Sequence, residues 1–297
     1  MGTWLRSHEN EAAGAAGPAT AGSQVLRRLG RNRLAMVGLA IILMFLAMAA
    51  LAPWIATHDP LRSSFGQRLQ APSAEHWLGT DELGRDVFSR MVYGARISLR
   101  IGFIAVGIGA LVGVPLGALS AYYGGWIDLV VQRVIDVMLA FPGILLAIVL
   151  VSALGVGLDN VMIAVGIVSI PVYTRLVRGS ALAVKRKEFV EAARAAGAGD
   201  LAIIVRHILP SCIAPVIVQS TLQVGSSILW AAGLGYLGLG AQPPTPEWGT
   251  MLSRGRQYLF TAPHITTSIG VVIMLVVLGF NLLGDGLRDA LDPRLKD

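Results

Sequence analysis

The stretch Lys185–Pro210, KRKEFVEAARAAGAGDLAIIVRHILP, is a basic interruption between two long hydrophobic runs. Phe189 to Ala196 is rich in Ala, Glu and Arg, all good helix formers, and predicts a short helix. Ala192, Ala193, Ala195 and Ala196 give that helix a surface of small side chains that a partner could approach closely. Gly197 can adopt φ > 0 and end it. Asp200 is placed to N-cap a following helix. Pro210 falls where a membrane helix would begin, and its missing N–H costs little there. A short polar helical loop between two apolar runs is the pattern of a multi-span membrane protein.

Composition agrees. Of 297 residues, 54% are hydrophobic and only 14% charged, where soluble domains carry about 25% charged residues. No sizeable soluble domain fits. The net charge of +6 reads as Lys and Arg held on the inner side of a membrane rather than as a nucleic-acid surface. A single cysteine, Cys212, excludes an internal disulfide and a cysteine metal cluster.

Outward from the loop, six runs are long enough to span a bilayer, which needs roughly 20 apolar residues. They are Leu34–Thr57, Ile101–Ile127, Val137–Leu158, Asn160–Thr174, Pro210–Gly240 and Ile265–Gly284. The fourth lengthens if Arg175 snorkels. Pro115, Pro142 and Pro171 predict kinks. Residues 1–24 are Ala/Gly-rich and read as a disordered tail. The first run, preceded by Arg27, Arg28, Arg31 and Arg33, is longer than a signal-peptide core and is expected to remain as a helix. The Lys/Arg bias places both termini and the Lys185–Pro210 loop inside. The chain thus divides into a cytoplasmic tail 1–33, a first transmembrane helix 34–57, an extracytoplasmic segment 58–96, a transmembrane domain 97–286 containing the loop 185–210, and a cytoplasmic tail 287–297.

Within the spans, Gly109, Gly113 and Gly117 recur every four residues, with Ala105 and Ala121 extending the stripe. Small residues on one face permit close helix packing in lipid. Gln219, Gln223, Ser226 and Ser227 form a polar face on the fifth expected span, either lining a pathway or bonding to neighbouring helices. Asp136 is expected to pair with Arg133 at the start of the third span. Outside the membrane, Thr80 can N-cap a helix whose first turn holds Asp81 and Glu82, with Asp81–Arg85 and Asp86–Arg90 as i,i+4 pairs. Because those acids have basic partners, they and His76 are not expected to bind a metal. Pro243, Pro244 and Pro246 exclude a helix, and one can follow over Glu247–Leu259. Arg288 can pair with Asp285 or Asp292 near the end of the last span. No Walker A, HExxH or GxSxG sequence occurs. The chain is therefore expected to bind no cofactor and to catalyse nothing.

Several stretches resemble known proteins. Glu191-Ala192-Ala193 with Gly197 looks like the EAA loop of ABC importer permeases, although His207 stands where Ile is common. HWLGTDELGRDVFSRMVYGARISL (His76–Leu99), FPGILLAI (Phe141–Ile148), GYLGLGAQPPTPEWGTML (Gly235–Leu252) and FNLLGDGLRDALDPRL (Phe280–Leu295) resemble the C-type subunit of the dipeptide/oligopeptide/nickel branch, and are similar also to glutathione-importer permeases. The resemblance implies an all-α, MetI-like fold of six transmembrane helices in the inner membrane. It implies a second homologous permease, two ABC ATPase subunits and an extracytoplasmic binding protein as partners. In that reading Glu191, Ala192, Ala193, Gly197, Asp200 and Pro210 belong to the ATPase-coupling loop. A secondary transporter, the rival class, would show inverted repeats or broken spans carrying charge.

Overall fold

The computed structural model describes residues 21–291. Among them there are helices and no strands. The amino-terminal helix α1 (Ala21–Arg31) ends at Asn32, whose side-chain oxygen accepts hydrogen bonds from Leu34 N and Ala35 N and so caps α2 (Arg33–Ala50). Residues 21–24, expected in the disordered tail, are therefore helical, and residues 1–20 lie outside the described residues. A short helix, α3 (Ala52–Ile55), completes the first run. Non-helical chain then continues to α4 (Val87–Tyr123), which is followed by α5 (Gly125–Ala140), α6 (Gly143–Leu154) and α7 (Leu158–Lys185). The interrupting loop forms α8 (Glu188–Ala195). Next come α9 (Asp200–Ile203), a π turn over Ile204–Ile208, and α10 (Leu209–Tyr236). The chain closes with α11 (Trp248–Gly255) and α12 (Pro263–Leu291).

Five stretches are long and apolar enough to cross a membrane: α2, α4, α7, the continuous run Asp200–Tyr236, and α12. A sixth is reached only by counting one bent pair of helices as a single span. The run expected as one helix over Val137–Leu158 is instead α5 and α6, bent by 95°. The break falls at Phe141–Pro142, where proline disfavours helical geometry at the preceding residue; Phe141 is extended at φ −93° and ψ 137°. Pro115 and Pro171, by contrast, sit inside α4 and α7, each a single helix.

The bundle is organised on the pair α4 and α7. Gly109, Gly113 and Gly117 on α4 face Ser169, Tyr173 and Thr174 of α7 in the same chain. A Cβ on Gly113 would lie 2.6 Å from Tyr173 Cβ and 2.7 Å from Ile170 O. One on Gly117 would lie 2.5 Å from Thr174 O. Such close backbone approach maximises dispersion contact where the hydrophobic effect cannot drive helices together. Around this pair, α10 and α12 close a buried core that includes Met91, Leu99, Ile228, Trp248, Ile273 and Phe280. Similar fits recur elsewhere. Gly38 of α2 lies against Gly279 and Leu282 of α12, and Gly143 at the start of α6 lies under the Trp230 ring.

Gly113→Leu is expected to destabilise the protein in detergent by about 1–3 kcal/mol through overpacking. Gly107→Ala, whose Cβ would meet nothing within 4 Å, is expected to leave the thermal midpoint unchanged. Fluorescence-detected size-exclusion melts of the two variants compare them directly.

Candidate functional site

The loop after α7 is a small helical platform. In α8 the one buried side chain is Val190, which joins a cluster with Tyr122, Val184, Ile203, Ile204 and Ile208. The rest of α8 faces outward: Glu191 and Ala192 are exposed, and Ala193 is half-buried. Gly197 has φ +82°, the left-handed conformation a helix end requires, and Ala198 N donates back to Ala193 O. Large apolar side chains are also exposed here: Phe189, Leu201 and Val205 are 44%, 71% and 51% accessible.

One expectation for this loop is corrected. Asp200 is not an N-cap. Gly199 occupies that position, and the Asp200 carboxylate instead accepts a 2.6 Å hydrogen bond from Tyr122 Oη at the end of α4. Pro210 lies in the first turn of α10, where its missing N–H costs little, although helical chain also runs back from it to Asp200. The π turn just before it, closed by Leu209 N donating to Ile204 O, absorbs the register change. His207 lies within that turn, its ring 6.4 Å from Phe189.

The platform is tied to α4 by groups that no local pattern reveals. Lys185 Nζ donates to Ala121 O at 3.3 Å and also to Tyr122 O, two carbonyls in the last turn of α4. Lys185 and Arg194 both lie over the Tyr122 ring, at 5.6 and 5.8 Å from its centre. Beside them, Arg178 of α7 holds Asp128 of α5 with two 2.6 Å hydrogen bonds. Asp136 pairs with Arg175 of α7 at 2.7 Å rather than with Arg133. The broken span is thus pinned to α7 by two carboxylate–guanidinium pairs, and its acids are satisfied within the chain.

The polar face of α10 divides. Gln223 donates to Ser169 Oγ of α7 at 3.0 Å, and Gln219 lies 3.4 Å from Gln223. Tyr173 Oη reaches Ser220 Oγ at 3.1 Å. Ser226 bonds to Leu222 O, and Ser227 is fully buried with no partner among the described residues. Gln219 also borders a cavity of about 460 Å³ between α7, α10 and α12, with Arg288 at its edge. Arg288 makes no pair with Asp285 among the described residues, and Asp292 lies outside them.

At the opposite end of the bundle lies a cap of polar chain. The expected helix from Thr80 is absent, since Gly79 (φ +73°) and Gly84 (φ +71°) turn the chain out of helical geometry. The helix begins only at Val87, capped by Asp86, which accepts from Ser89 N at 2.7 Å. Asp81–Arg85 does form, at 2.7 Å, within a buried network. Glu82 accepts from Arg85 and from Arg254 of α11, and Arg90 donates to the carbonyls of Pro60 and Pro244. Asp86 and Arg90 do not pair. Arg90 sits 3.5 Å from Asp81, and Asp86 takes His76 as partner at 2.9 Å. Glu247 caps α11 as a fully buried carboxyl. Burial pushes its pKa up, against hydrogen bonds from Gly249 and Thr250.

The fold is a core of helices long and apolar enough to cross a membrane, with one exposed helical platform. Residues 113–297 match the family described as binding-protein-dependent transport system inner membrane component, and residues 20–72 match the N-terminal transmembrane domain of oligopeptide transport permease C. The dipeptide transport system permease protein of Alkalihalophilus pseudofirmus is 52% identical over 92% of this chain and 90% of its own length. The glutathione transport system permease protein of Escherichia coli O6:K15:H31 is 50% identical over 91% and 89%. The permease of the MetNI methionine ABC transporter shares the fold, with a TM-score of 0.57, 20% identity, and coverage of 69% of this chain and 98% of that one. The chain belongs to the binding-protein-dependent inner membrane component family. It is a multi-pass inner-membrane permease subunit of an ABC importer, a transport subunit rather than an enzyme, and its family works with ATPase and substrate-binding partners.

Tyr122→Phe removes the hydrogen bond to Asp200, a loss of about 1 kcal/mol. Amide exchange over residues 188–200 is expected to quicken roughly fivefold through local opening. Tyr123→Phe, an exposed neighbour, is expected to leave it unchanged.

Proposed function

We propose that this subunit pairs with a second homologous permease and passes dipeptides, short oligopeptides or glutathione-like peptides inward. Two ATPase subunits drive it through the Lys185–Pro210 loop. The observation that carries the coupling is the exposure of α8. The helix buries only Val190 and presents Glu191, Ala192 and the turn at Gly197 beside exposed Phe189 and Leu201. Apolar side chains left exposed on a polar loop mark an interaction surface. In this reading the loop and both termini face the cytoplasm, and the cap around Asp81 and Glu82 faces the binding protein. ATP binding draws the loops of the two permeases together and opens the pathway outward, a rigid-body change biased from a distant site. The joint of Lys185, Tyr122 and Asp200 carries that displacement to α4. Gln219, Gln223, Ser226 and Ser227 are the candidate lining of the pathway, through which cargo passes without a bound cofactor. The cargo class is supported by the dipeptide and glutathione relatives at about half identity over nearly the whole chain.

The test uses the whole importer with Gly197→Asp. A side chain at φ +82° costs roughly 1 kcal/mol or more, and the new carboxylate would enter the docking surface. Insertion should be normal, while ATPase co-purification and uptake of dipeptide and glutathione fall at least tenfold. Full uptake with the ATPase still bound would reject the coupling role. Wild-type importer that takes up neither peptide class would reject the cargo.

A further inference from the structure

Asp86 is a buried carboxylate without a fixed cation. Arg90, the cation four residues on, is engaged by Asp81, Pro60 and Pro244. What faces Asp86 instead is a pair of imidazoles. His76 Nδ1 is 2.9 Å from Oδ1, and His58 Nδ1 is 3.9 Å from the same atom. The two rings lie 4.6 Å apart and are tilted by 35°. One donor atom from each of the three residues falls within 4.8 Å of the others.

We propose that His58, His76 and Asp86 form a binding site for a divalent transition-metal ion of the Zn²⁺ class at the cap end of the bundle. Two imidazoles and a carboxylate are a donor set that suits Zn²⁺, with bonds of about 2.0–2.2 Å. One ion bridges atoms so spaced once the His58 ring swings slightly inward. That ring is the exposed member of the set. Its present bond is to Thr57 Oγ1 at 3.0 Å, a hydroxyl that also lies 3.4 Å from Asp86 Oδ2 and from Ser89 Oγ and can turn to them.

The ligands come from three separate segments, and each is held from behind. Ser89 N binds Asp86 Oδ2, Ser89 Oγ accepts from His58 N at 3.0 Å, and Ser73 Oγ accepts from His76 N at 3.0 Å. These bonds fix the backbone at His58 and His76 and the carboxylate of Asp86. His76 Nε2 is buried with no partner among the described residues. An open cavity of about 570 Å³, bordered by Thr57, His58, Asp59 and Tyr93, gives access to His58, the outermost of the three ligands.

The experiment uses the intact importer, purified through a histidine-free tag and equilibrated with micromolar Zn²⁺. Bound metal is counted by mass spectrometry after gel filtration, and Co²⁺ substitution reports geometry in the visible spectrum. One ion per copy of this chain is expected, with tetrahedral Co²⁺ bands. His58→Ala, at an exposed position that leaves the fold intact, is expected to weaken binding at least about tenfold, whereas Asp59→Ala on the same rim leaves it unchanged. Less than stoichiometric metal in the native importer overturns the assignment, as does equal binding by His58→Ala.

Discussion

The close approach of α4 and α7 is the constraint on which the rest of this structure depends. In lipid, helices gain nothing from hiding apolar surface, so association relies on packing and on interhelical hydrogen bonds. Gly109, Gly113 and Gly117 supply the first by letting the α4 backbone rest on Ser169, Tyr173 and Thr174. Two of those α7 positions feed the second: Ser169 receives Gln223, and Tyr173 reaches Ser220, both on α10. One seam therefore fixes three helices.

Both ends of that seam bear polar structures of different kinds. At one end, α4 finishes at Tyr122 and α7 finishes at Lys185, and these two residues meet over the loop platform through the α4 carbonyls and Asp200. The hydrogen bond between Asp200 and Tyr122, at 2.6 Å, joins the platform to the last turn of α4. At the other end, α4 begins at Asp86 inside a buried charged network that includes Glu82, Arg85, Arg90 and Arg254. Removing one member of such a network strands a buried charge, which makes this cap stiff. A stiff cap and an outward-facing platform on one rigid pair of helices suit a gate moved from one side only.

Much of this was legible in the sequence because it follows from local rules. Hydrophobic runs locate the spans, small residues at four-residue spacing mark the close face of α4, and an Ala-rich segment ended by glycine gives α8 and the turn at Gly197. The wrong ion pairs have one cause, the assumption that a charged group takes the partner nearest in sequence. Asp86–Arg90 and Arg133–Asp136 look like helical pairs, yet Gly79 and Gly84 keep the chain before Val87 from being helical, and Arg175 lies closer to Asp136 in space. Asp200 has the identity of a cap, but Tyr122, distant by 78 positions, claims its carboxylate. The break at Pro142 carried a visible signal, whose consequence is a 95° bend rather than a kink.

The account requires that the platform end and the cap end lie on opposite sides of the membrane, the platform inside. Single cysteines at Ser63 and at Lys187, in a Cys212→Ser background, measure this directly with a membrane-impermeant maleimide on intact cells and on inverted vesicles. The account predicts that the cysteine at position 63 labels only in cells with a permeable outer layer and the one at 187 only in inverted vesicles. Labelling of both from the same side would contradict it.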